Sequence, residues 1–146
     1  MREIAAAASL SDALLLGRIL MFALLLPLAL RRDLASLAAF MEPRRPPRPA
    51  PPATIAKIQR YADTVCASRL VRAECLVRGL TRYYFLRRAG LSLGVVFGMG
   101  EIDGRLEGHC WLVHEGHPFM EARDPRLHFR PMLTFPLASA VAGDGR

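Results

Sequence analysis

The chain has 146 residues and a mass of 16.2 kDa, with 20 Lys and Arg against 13 Asp and Glu for a net charge of +7. That length holds one domain and an appended segment, not two full domains, and 52% hydrophobic residues supply a core that excludes disorder as the default state. Three cysteines, an odd number at low density, argue against a secreted disulfide scaffold and for a reducing, cytosolic compartment. Lys57 is the only lysine; an arginine bias of this kind follows from base composition alone, so basicity names no partner.

Residues 13–30 read ALLLGRILMFALLLPLAL, apolar but for Arg18, and are long enough to raise the question of a membrane span. Their eleven Leu, Ile and Phe side chains contribute about −3 to −6 kcal/mol on insertion scales, against at most about +3 for Arg18. Against a span, Pro27 shortens the regular helix. Leu34, Leu37, Ala38 and Phe40 also continue an apolar stripe past Arg31, Arg32 and Asp33, as a helix packed on a protein core does. A packed or surface-bound helical segment is expected over 1–41, with membrane-surface association through 13–30, or a true span, as the alternatives. A cleaved signal is not expected, because Met1, Arg2, Glu3 and Ile4 carry no net positive charge beyond the amino terminus and no small-residue cleavage site follows Leu30.

Residues 42–53, EPRRPPRPAPPA, cannot form a helix or central strand, since each proline removes a donor and pushes its predecessor to an extended conformation. They read as a semi-rigid polyproline linker ahead of a compact unit over 54–146. Thr54 is suited to cap a helix running to about Cys66, with Ile55, Ile58, Tyr61, Ala62 and Val65 on one face. After a connector at 68–73, a second helix is expected from near Glu74 to Gly90, where glycine takes the left-handed cap behind Arg87 and Arg88. The period then changes to β-prone runs at 91–99, 106–113 and 119–121, separated by glycine-containing breaks. Helices followed by strands predict an α+β fold.

Three features carry chemistry: Cys75 at the start of a helix, His109 at the start of a strand, and Glu121 beyond it. A thiol in the first helical turn feels the positive end of the macrodipole, which favours thiolate, and the free N–H groups there are ready oxyanion donors. Cys66, near a helix end, and Cys110, on the strand face opposite His109 by two-residue alternation, lack that placement. Gly116 suits the left-handed third position of a three-residue hairpin loop. That register pairs Val113 with His117, Trp111 with Phe119 and His109 with Glu121, whereas a two-residue loop at Glu115 and Gly116 pairs His109 with Ala122. Asp124 is the fallback acid. Cysteine, histidine and carboxylate in this order are the equipment of a thiol hydrolase or acyltransferase.

Cys75-Leu76-Val77-Arg78-Gly79-Leu80, Phe85-Leu86-Arg87-Arg88-Ala89-Gly90, Gly94-Val95-Val96 and Gly108-His109-Cys110-Trp111-Leu112, followed by Gly116 and Glu121, resemble the transglutaminase-like superfamily. Within it they are most similar to the lasso-peptide biosynthesis peptidase that removes a leader. The resemblance covers about 74–121. It implies a papain-like fold in which a Cys-headed helix, preceded by an apolar N-terminal helix, packs on a small antiparallel sheet. It also implies Cys75 as nucleophile, His109 as base and Glu121 as third member, with no cofactor or metal. Two positions depart from the family, which usually has Asp at 121 and Ala at 110. Leader recognition there belongs to a small winged-helix-like module. The first 40 residues here are helical and apolar instead, so the expected partners are a precursor peptide, a separate leader-recognition protein and a separate cyclase.

A metal site at His109, Cys110, His114 and His117 is opposed by strand alternation and by the lack of CxxC spacing. A nucleic-acid reading rests on the charge and the Arg-rich linker, yet the single Trp and three Tyr form no basic-aromatic stacking pattern. A transglutaminase-like acyltransferase or amidase on another substrate, or an inactive scaffold of the same fold, remain the alternatives to a leader peptidase. Trp111 is expected in the core or the site wall, and Arg78, Arg82, Arg87 and Arg88 on a solvated helix face.

Overall fold

The apolar N-terminal run folds as α1 (Leu10–Ala29) in the computed structural model of the chain, which describes residues 10–71 and 74–136. Residues 1–4, which bear on a cleaved signal, residues 72 and 73 of the connector, and 137–146 lie outside the described residues. The helical stripe does not continue unbroken past Arg31 and Arg32. Asp33 is extended, and its carboxylate accepts from the Ser36 N–H at 2.9 Å and the Ser36 hydroxyl at 2.6 Å, which starts a separate helix, α2 (Leu34–Met41). A carboxylate that satisfies a free helix N–H favours a new start over continuation.

Ile19, Ala23 and Leu26 of α1, one turn apart, join Leu37 and Met41 of α2 in the same buried cluster as the later helices and the sheet. Polar ties hold the two helices in place. Lys57 pairs with Asp12 at 2.6 Å, Arg87 pairs with Glu42 at 2.9 Å, and the buried Tyr83 hydroxyl donates to Glu42. Burial, with the Glu42 carboxylate beside it, pushes the Tyr83 hydroxyl above its ordinary pKa, so it stays a donor. The proline-rich segment is anchored where the Ala50 N–H donates to the Ala89 carbonyl at 2.8 Å. Helix α3 (Pro52–Ala67) starts at Pro52 rather than Thr54, because proline in the first turn gives up an N–H that had no helical partner. Helix α4 (Cys75–Arg88) ends before Gly90, whose φ of 89° is the left-handed cap expected there.

The sheet is antiparallel with strand order β3-β2-β1-β4. Strands β1 (Leu93–Ile102) and β2 (Arg105–His114) are joined at Asp103 and Gly104, both with positive φ (50° and 75°), the two-residue turn whose twist matches its strands. Strand β4 (Arg130–Phe135) adds to the free edge of β1, and the sequence patterning gave no sign of it. Edge placement explains this: Pro131 pairs opposite Gly98, and an edge strand tolerates the missing donor.

The hairpin between β2 and β3 (His117–Phe119) corrects the expected register. Leu112 pairs with Phe119, Val113 with Pro118 and His114 with His117, so the loop is the two residues Glu115 and Gly116, with φ of 50° and 81°. His109 therefore has no ladder partner in β3, which ends at Phe119.

The two sheet faces have different roles. Leu93, Val95, Cys110, Leu112 and Phe135 face the helices and belong to the main core. Val96 and Trp111, cross-strand partners, are buried outside that cluster on the opposite face. Gly98 makes the second face possible, because a Cβ there would lie 2.7 Å from the Trp111 ring. Among the described residues, four helices and a four-stranded antiparallel sheet, led by the apolar helix, form the expected α+β architecture.

Candidate active site

Cys75 is the first residue of α4, behind an extended Glu74 whose side chain makes no cap hydrogen bond. The first intrahelical bond runs from the Arg78 N–H to the Glu74 carbonyl at 3.1 Å, so the N–H groups of Cys75, Leu76 and Val77 have no helical acceptor. They point at whatever occupies the end of the helix. Cys75 is partly exposed, and its sulfur lies 4.0 Å from the Gly108 carbonyl oxygen of β2. Helix and strand meet closely because of Gly79: a Cβ there would sit 2.7 Å from Cys110 Sγ.

His109 pairs opposite Gly98. Its ring stacks on Trp111 with centroids 5.9 Å apart and tilts against Phe129 at 5.0 Å, which fixes the imidazole from both sides. Glu121 Oε2 lies 3.4 Å from His109 Nε2, and both side chains are largely buried (27% and 21% exposed). A carboxylate only accepts, so this contact places the proton on Nε2 and leaves Nδ1 as the basic nitrogen. The expected partnership is present, reached by another route. Met120 has a left-handed φ of 60°, and this bend beyond β3 returns Glu121 to the histidine after the two-residue loop has shifted the register.

Asp124 is turned elsewhere. Arg126 holds it through bonds of 2.7 to 3.1 Å, and it accepts from the Arg126 N–H to cap a short 3-10 turn at Pro125–Leu127. The guanidinium beside it keeps its carboxyl below the usual range.

Cys75, His109 and Glu121 line one cleft of about 160 Å³, together with Arg78, Arg82 and Trp111. The cleft takes residues from both faces of the sheet, and the pairing shows why. Strand β3 covers only Leu112, Val113 and His114, so β2 has an open edge beside His109 across which the helix end and the histidine face can meet. No hydrogen bond joins Cys75 to His109. A second, more open hollow of about 320 Å³ continues past His109 and Glu121 toward Pro125 and Phe129.

The other thiols are disabled by burial. Cys66 is buried and its thiol pushed up, although Arg78 and Arg82 act the other way. Cys110 is pushed up to about 12 by burial, with negative charge at Cys75 and Glu121 adding to it. His114 gives Nδ1–H to the Ser92 carbonyl at 2.7 Å. Among the described residues no three His, Cys, Asp or Glu side chains gather as a metal requires.

Phe129 is the site residue that sequence reasoning missed, since nothing local marks a loop aromatic as the backing of a histidine. The arginine series also differs from the expected solvated face. Arg82 pairs with Asp63 at 2.5 Å, Arg87 with Glu42, and Arg88 lies 3.5 Å over the Tyr84 ring. Arg78 alone stays exposed, beside the cleft. A family model for the transglutaminase-like superfamily matches residues 19–134. No curated protein and no solved structure matches the chain.

Proposed function

The chain belongs to the transglutaminase-like superfamily, and from that premise we propose that it is a cysteine peptidase that removes the leader from a ribosomally made, lasso-type precursor peptide. It would act with a separate leader-recognition protein and a separate cyclase. The observation that carries the reading is the His109–Glu121 contact in the same cleft as a cysteine on an uncapped helix start.

The chemistry assigns each group a task. Cys75 gives its thiol proton to His109 Nδ1, Sγ attacks the scissile carbonyl carbon and forms a C–S bond, and the oxyanion accepts from the N–H groups at the start of α4. Protonated His109 gives its Nδ1 proton to the departing amine as the C–N bond breaks, leaving a thioester. His109 then takes a proton from water, which attacks the thioester, and the C–S bond breaks to release the leader carboxylate and restore the thiol. Glu121 keeps Nε2–H oriented and stabilises the imidazolium. Contacts of this kind commonly tighten when substrate fills the site, which accommodates the 3.4 Å spacing and the absence of a direct Cys75–His109 bond.

The lasso-type substrate rests on the resemblance of 74–121 and on Gly108, His109 and Trp111 in particular. The test is to incubate the full chain with a lasso-type precursor peptide and a separate leader-binding protein, drawn from neighbouring open reading frames where these encode them, and to weigh the products. Cleavage at the leader boundary that Cys75→Ala abolishes supports the reading. Transfer of the acyl group to an amine in place of water would make the protein an acyltransferase, and no turnover with every partner present would make it a scaffold.

A further inference from the structure

Helix α1 is apolar on the side that faces away from the protein as well as on the side that faces in. Its inner face delivers Ile19, Ala23 and Leu26 to the core. On the outer face Leu14, Met21, Leu25 and Leu28 are each more than half exposed, with Leu24 between them, and Arg18 is the one charged residue. The helix is long and apolar enough to cross a bilayer, yet little of it is buried against the rest of the protein. A helix that is apolar all round needs cover on every side, and here one side has none among the described residues. The exposed face continues onto α2, where Leu34 and Phe40 are also about half exposed, and two apolar grooves run between the helices.

The charges around this face are one-sided. Arg18 lines one groove and Arg32 the other, Arg31 lies beside Arg32, and all three are exposed. Among the described residues, the nearby acids are committed: Asp12 to Lys57, Asp33 to the α2 cap, and Glu42 to Tyr83 and Arg87. An apolar face edged, among the described residues, by arginines matches a surface that offers acyl chains beneath anionic phosphates. A second copy fits poorly, because an isologous pair would bring both sets of arginines together around one seam. A span fits poorly too, since withdrawing α1 into a bilayer would strip Ile19, Ala23 and Leu26 from the core and break the Lys57–Asp12 pair.

We infer that the outer face of α1, with the adjoining edge of α2, seats the protein on an anionic membrane surface, the helix lying in the headgroup region and Arg18, Arg31 and Arg32 meeting lipid phosphates. This assignment is independent of the catalytic reading, because its readout is vesicle binding.

The test is flotation of the full-length protein with phosphatidylcholine vesicles with and without phosphatidylglycerol. Binding only to the anionic vesicles, weakened by salt and released by alkaline carbonate, is the expected result. Arg31→Gln with Arg32→Gln should lower the vesicle association constant about thirtyfold, as removing two interfacial cations does. Met21→Gln with Leu25→Gln should abolish binding while the circular dichroism spectrum is unchanged, since both side chains point outward. Equal binding to neutral vesicles would overturn the charge-matched surface, and resistance to carbonate would make α1 a span. A dimer in solution that ignores vesicles and is dispersed by the Met21 and Leu25 changes would assign the face to a second copy.

Discussion

Glu121 Oε2 lies 3.4 Å from His109 Nε2 although the two residues share no rung of the β-ladder. The carboxylate arrives from beyond the end of β3, through the bend at Met120, and meets a ring already held between Trp111 and Phe129. Aromatic packing thus fixes the plane of the imidazole, and the acid fixes its tautomer. On the proposed mechanism Glu121→Gln keeps the fold and lowers kcat by about 10² to 10⁴, the range for orienting carboxylates in such triads. Glu121→Asp, which keeps the charge, should fall between wild type and Gln, and Asp124→Asn should change little because Asp124 serves Arg126. Leader-cleavage kinetics on the three variants decide this; loss of activity in Asp124→Asn beside an active Glu121→Gln would reassign the acid.

The bend itself can be tested apart from the acid. A left-handed φ disfavours a β-branched residue far more than glycine, so Met120→Val should lower kcat by about tenfold or more through displacement of Glu121. Met120→Gly should retain most of the activity. Equal losses in the two variants would mean that the methionine side chain, not the backbone bend, supports the site.

The elements that carry Cys75 and His109 were legible because their signals are local. Apolar spacing along α4, the glycine after Arg88 and two-residue alternation through Trp111 each depend on a few neighbours. The acid's position was legible only in outcome. Glycine at 116 marks the turn, but a glutamate at its first left-handed position hides a two-residue loop that Asn or Asp would announce, and nothing in methionine marks a second left-handed residue at 120. Two departures from regularity cancel, and Glu121 returns to His109. Strand β4 was illegible because Pro131 reads as a breaker until the edge position that tolerates it is known.

Thiol chemistry gives a third prediction. Burial pushes Cys110 up to about 12 and also raises Cys66, so both are held back from the thiolate form in which a thiol reacts. Iodoacetamide at low concentration should label Cys75, the partly exposed one, first, as read by peptide mass spectrometry over time. Early modification of Cys110 would mean that the helix–sheet contact at Gly79 opens in solution.

That contact yields the last prediction. A Cβ on Gly79 would lie 2.7 Å from Cys110 Sγ but 3.8 Å from Cys110 Cβ, so the sulfur alone blocks a larger residue. Gly79→Ala should destabilise the protein by about 1–3 kcal/mol through overpacking, and it should lower activity by levering the head of α4, with Cys75, away from Gly108. Cys110→Ala alone should cost on the order of 1 kcal/mol for the lost sulfur contacts, with activity kept. In the double variant the new methyl occupies the space the sulfur leaves, and alanine replaces glycine inside a helix, a gain of about 1 kcal/mol in propensity. The double variant should therefore be more stable than Gly79→Ala and close to wild type, with turnover restored. Denaturant melts on the four proteins form a double-mutant cycle whose coupling should exceed about 1 kcal/mol. Additive losses would show that Gly79 is required for a reason other than the Cys110 sulfur.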